Sequence, residues 1–124
     1  MAAEVILVIE DDAHIGGLVV QVLREAGFAP ALVRDVHAAR EWGDQGGRPA
    51  AVVSDLTVAG SSGPAQLPSE LAAIFHGAPL ALMTGVPPRR RAALGVMHER
   101  IIEKPFELEA LIATIHSMIA APPP

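Results

Sequence analysis

Short aliphatic runs alternate with stretches of helical spacing along this chain, and four of the runs end on a residue able to do chemistry. Val5 to Ile9 leads into Glu10-Asp11-Asp12, and Ala50 to Ser54 leads into Asp55. Leu80 to Met83 leads into Thr84-Gly85, and Ile101 to Glu103 into Lys104-Pro105-Phe106. Between the runs, Ile15, Leu18, Val19, Val22, Leu23 and Ala26 recur at helical spacing, with Gly27 placed to cap. Ala31-Leu32-Val33 reads as a short second strand with Pro30 at its start. Asp35 is placed to cap a helix over Val36 to Trp42, closed by the Gly46-Gly47 loop. The third strand, Ala51 to Asp55, leads through Gly60-Ser61-Ser62-Gly63 to a third helix over residues 65–75, where Pro68 lies in the first turn or shortens it. The last helix is the clearest, with Leu108, Leu111, Ile112, Ile115 and Ile119 in one stripe and Glu107 and Glu109 near its positive end.

Five strands alternating with helices predict βα units joined by right-handed crossovers. The first, third and fourth runs are apolar on both faces, as a sheet covered by helices on both sides requires. The weak place is residues 86–95. Pro88 can open a helix there and Gly95 can close it, leaving at most about two turns. Its apolar face is only Ala92, Ala93 and Leu94, which predicts a short or poorly ordered fourth helix. Arg89-Arg90-Arg91 reads as a solvated turn, and Trp42 and Phe75 as packing anchors.

Composition narrows the class. The chain has 124 residues, 51% of them apolar, and no aliphatic run approaches bilayer length. It has no cysteine, which removes disulfides, thiolate catalysis and cysteine metal sites together. A net charge of −5 argues against nonspecific nucleic-acid binding. No basic segment precedes an apolar stretch at the start, so a cytoplasmic chain is expected, with no membrane association. One domain over residues 1–121 and a proline tail at 122–124 are the expected organisation.

Ligands of an open parallel sheet bind outside the carboxyl ends of the strands. There Glu10, Asp11 and Asp55 would repel one another unless a cation or protons intervene. Oxygen-only ligation suits magnesium, which takes one or two carboxylates plus phosphate oxygens. Thr84 adds a hydroxyl, Lys104 a compact positive charge, and Gly85 leaves out a side chain beside them. Asp12 reads as a helix N-cap instead. The five histidines show no metal-ligand spacing.

Ile6 to Asp12, Asp55-Leu56, Gly60 and Gly63, Met83-Thr84-Gly85 and Lys104-Pro105-Phe106 together resemble a response-regulator receiver domain, over nearly the whole chain. The resemblance implies a flavodoxin-like, doubly wound α/β fold with a five-stranded parallel sheet in the order 2-1-3-4-5. It implies a phospho-acceptor that assists its own aspartyl phosphorylation and dephosphorylation but is not otherwise an enzyme. Asp55 matches the phosphorylated aspartate, Asp11 a direct magnesium ligand, Glu10 a ligand acting through water, and the Thr57 carbonyl a further ligand. Thr84 and Lys104 match the groups that hold the phosphoryl oxygens. The implied donor is a phosphohistidine on a histidine kinase or a histidine phosphotransfer protein.

Three positions depart from the family pattern. Ile101 stands where receivers usually carry Tyr or Phe, Ala59 where a proline is common, and the fourth helix looks truncated. A change of order in residues 84–100, read by a downstream protein at 85–101, is therefore the expected switch. Three alternative readings compete with that of a phospho-acceptor. A flavodoxin-like cofactor binder would want a Ser/Thr/Gly-rich phosphate loop after strand one. An aspartyl phosphatase would want two aspartates one residue apart there, but the triplet begins with Glu10. A degenerate receiver, acting as a phosphorylation-independent interaction module, is disfavoured by the complete set of acids, hydroxyl and lysine. The ending in Pro122 to Pro124 fits both a single-domain regulator and a receiver cut from a longer chain, and the cognate kinase, output and oligomeric state stay open.

Overall fold

Alternation across extended backbone divides the aliphatic runs between two apolar layers. Ile6 and Val8 face one way with Val53, Ala81 and Met83, while Leu7 and Ile9 face the other way with Val52 and Leu82. The computed structural model describes residues 3–96, 98 and 100–120. Its elements in chain order are β1 (Val5–Ile9), α1 (Ala13–Glu25), β2 (Ala29–Val33), α2 (Val36–Asp44), β3 (Ala51–Asp55), α3 (Leu67–Ile74), β4 (Leu80–Thr84), α4 (Pro88–Ala93), β5 (Ile101–Glu103) and α5 (Leu108–Ala120). All strand pairs are parallel, in the order 2-1-3-4-5. The expected doubly wound α/β fold is the one the chain adopts.

One layer is closed by α1 and α5 through Val19, Leu23, Leu111, Ile115 and Met118. The other is closed by α2 and α3 through Val36, Ala39, Leu67, Leu71 and Phe75. Trp42 and Phe75 meet edge to face with ring centroids 5.9 Å apart, confirming both as packing anchors. Gly47 makes that possible, because a Cβ there would stand 2.4 Å from the Trp42 ring.

Several boundaries differ from the sequence expectation. β2 begins at Ala29, so Pro30 lies inside it; β2 is an edge strand, where a missing N–H is tolerated. Helix α2 continues past Trp42 to Asp44. Helix α3 starts only at Leu67, with Pro68 in its first turn. The six-residue α4 opens at Pro88 as expected, and Gly95 turns the chain away from it at φ +78. None of its residues is buried, and Val96 is the first side chain beyond it to enter the core. The domain end at 121 and the proline tail lie outside the described residues, as do Met97 and Glu99 of the expected partner segment.

Candidate functional site

Strand register brings the chemistry together. Ile9 pairs with Ser54, so Glu10 comes level with Asp55; Asp55 pairs with Met83, and Thr84 with Glu103. Lys104 follows immediately, its backbone N–H donating to the Thr84 carbonyl at 2.8 Å, and the Lys104–Pro105 peptide bond is cis. Four elements of the sheet thus deliver their polar ends to one crevice.

The three acids form a tight group. Glu10, Asp11 and Asp55 each offer a carboxylate oxygen, and the three oxygens lie within 4.8 Å of one another. Lys104 Nζ bridges two of them, 3.1 Å from Glu10 Oε1 and 3.4 Å from Asp55 Oδ1. The other Glu10 oxygen accepts from the Asp12 N–H at 3.2 Å. The Glu10 side chain is only 1% exposed and that of Asp55 is 13% exposed, so of these two strand-end acids Asp55 is the reachable one. Asp11 is exposed at the mouth.

The charges perturb one another. Burial raises the Glu10 pKa, and the Asp55 charge adds to it, against the lowering by the Asp12 N–H and Lys104. Burial alone would lower the Lys104 pKa, but Asp55 and Glu10 outweigh it and the ammonium is held above its usual value. Asp12 does cap α1, accepting from the N–H groups of His14 and Ile15 at 2.9 and 3.0 Å. The Ile15 N–H does most to lower its pKa.

Thr84 is buried at the end of β4, where its Oγ1 accepts from the Val86 N–H at 2.9 Å and its own proton remains to be donated. Gly85 does not adopt a positive φ, and a Cβ on it would make only ordinary contact, 4.0 Å from Lys104 Cβ. The missing side chain at Gly85 leaves its Cβ position nearly open beside Lys104. Thr57 lies exposed, two residues past Asp55.

One expectation is overturned. Arg91 is not part of a solvated turn: its side chain is 12% exposed, with Nη1 donating to the Val86 carbonyl at 2.7 Å and Nη2 3.9 Å from Glu103 Oε1. Arg89 and Arg90 are exposed, as expected. Three consecutive arginines look alike in sequence; only the helical turn that aims the third one back at the β4–α4 loop distinguishes it. The tie from Glu10 to the Asp12 N–H is a second feature absent from the sequence reading, although an acid two residues before a helix N-cap is a local signal for it.

Comparison with known structures fits this geometry. A response regulator receiver protein from Sinorhizobium medicae superposes with a TM-score of 0.80 at 26% identity, covering 96% of each chain. The chain has the fold of a response-regulator receiver domain. The receiver domain of a sensor histidine kinase from Pseudomonas aeruginosa, solved with magnesium in its active-site cleft, superposes with a TM-score of 0.79 at 19% identity, covering 97% of this chain and 100% of that one. A chemotaxis response regulator of Vibrio cholerae gives 0.75 at 20% identity, covering 94% and 98%. No protein-family model matches the sequence, and no curated protein sequence matches it. Among the described residues of this receiver fold, no helix is long and apolar enough to cross a membrane.

Proposed function

We propose that the chain accepts a phosphoryl group on Asp55 from a phosphohistidine of a histidine kinase or histidine phosphotransfer protein. The observation that carries this reading is the Lys104 ammonium bridging Glu10 and Asp55 beside a group of three carboxylates. A structural ion pair needs one acid per lysine. Three acids around one ammonium leave an excess negative charge that suits a divalent cation.

The donor set fits magnesium, being all oxygen and open to solvent on the Asp11 side. Asp11 and Asp55 would hold the ion directly, with the Thr57 carbonyl, and Glu10 would act through water. Bound there, magnesium offsets charge on the phosphoryl oxygens. A carboxylate needs no general base to act as nucleophile, so Asp55 attacks phosphorus directly. The new P–O bond forms as the P–N bond to imidazole breaks, and the leaving imidazole takes its proton from solvent. Lys104 stabilises the oxygens on one side, and Thr84 donates its hydroxyl on the other.

Incubation with acetyl phosphate and magnesium, read by intact mass, tests the reading. One added phosphoryl group is expected on the wild-type chain and none on Asp55→Asn. Equal labelling of that variant would move the acceptor elsewhere.

A further inference from the structure

Thr84 and Lys104 are joined by a second route that runs outside the pocket. The Val86 N–H donates to Thr84 Oγ1 at 2.9 Å, and the Val86 carbonyl accepts from Arg91 Nη1 at 2.7 Å. Arg91 then reaches Glu103 at 3.9 Å, and Glu103 is the chain neighbour of Lys104. The Lys104 N–H returns to the Thr84 carbonyl at 2.8 Å. The circuit closes through the backbone on the two residues whose side chains are placed to hold phosphoryl oxygens.

Apart from these links, α4 has little to hold it. It buries no residue, and its six positions are Pro88, three arginines and two exposed alanines. Ile101, by contrast, is half-buried against the α2/α3 apolar layer and has no polar end with which to follow a change at Thr84. Arg91 is the side chain through which α4 is tied to the loop that carries Thr84's partner.

We infer that Arg91 is a positioning residue that couples the state of the Asp55 site to the placement of α4. The inference rests on Asp55 being the phosphoryl acceptor. A phosphoryl group drawing the Thr84 hydroxyl inward takes the Val86 amide with its acceptor, and the Val86 carbonyl carries Arg91. Because Arg91 is a residue of α4, the helix shifts with it. No apolar surface has to be uncovered for this, so a charge-assisted hydrogen bond is strong enough to transmit it. A downstream protein docking on Arg89 and Arg90 would read the shift through an acidic surface.

Amide NMR spectra of the full chain with magnesium, before and after adding beryllofluoride, test this in the wild type, Arg91→Ala, Arg91→Lys and Arg90→Ala. Fluorine signals of the bound mimic report occupancy at Asp55, and amides 89–94 report α4. Equal occupancy is expected in all four proteins. The α4 response should fall by about fivefold in Arg91→Ala and largely return in Arg91→Lys, and Arg90→Ala should leave it intact. If Arg91→Ala does not fold, Arg91→Gln is read in its place. A full α4 response in an occupied Arg91→Ala protein overturns the coupling, as does an equal loss in Arg90→Ala. Failure of the wild type to bind the mimic overturns the Asp55 reading itself, and the coupling with it.

Discussion

Two helices flank β5, and they are held in opposite ways. Helix α5 spends thirteen residues to bury Leu111, Ile115 and Met118 in the layer shared with α1. Helix α4 spends six and buries none, and the circuit through Arg91 is polar at every link. Burying a large aliphatic side chain stabilises by about 2 kcal/mol and resists displacement in any direction. A guanidinium on a carbonyl contributes about as much only while its geometry persists. One helix is therefore fixed to the fold, and the other is fixed to the site.

The largest test of that contrast is truncation. Leu111→Ala or Ile115→Ala should lower the unfolding free energy in urea by about 2–5 kcal/mol. Leu94→Ala, just beyond α4 and 44% exposed, should stay within about 0.5 kcal/mol. Equal costs would show that α4 carries packing energy after all. A finer measure is hydrogen exchange. Amides at 111–118 should open only with global unfolding, whereas those at 89–95 should open with a free energy well below the global one. Strong protection across α4 in the absence of any phosphoryl mimic would erase the distinction.

The smallest effect is in pH, which the polar centre responds to and the apolar layer does not. The Glu10 pKa is raised on folding, so its contribution is full below the ordinary glutamate range. It is lost as pH rises through the raised value. That of Lys104, also raised, is full below the ordinary lysine range and lost in the alkaline region above it. In chelator, thermal melts across pH should show both declines. Glu10→Gln should flatten the acidic one and Lys104→Met the alkaline one, while Leu111→Ala should lower the whole curve without changing its shape.

The same contrast explains what was legible in the sequence. Elements that announce themselves locally were placed well: Asp12 as the cap of α1, the α5 stripe, and Pro88 and Gly95 bounding α4. The site residues were legible because each sits at a strand end, and register alone brings strand ends together. What escaped depends on where a long side chain reaches. Whether Arg91 is solvated or turned back onto Val86 is decided by α4's orientation over the sheet, which no local pattern encodes. The start of β2 escaped for a local reason: Pro30 reads as a strand opener, although the order 2-1-3-4-5 puts β2 at the edge, where a proline inside the strand is tolerated.

The close seating of Trp42 against Gly47 has an optical consequence. Trp42 is the chain's single tryptophan, and there is no tyrosine. It lies in the last turns of α2, which runs back from the carboxyl ends of the strands toward their amino ends. The one strong intrinsic fluorophore is thus enclosed by Phe75 and a loop at the far rim of the sheet from the acids. Its emission is an indicator of whether the molecule is folded, and it is a blind spot for chemistry at Asp55.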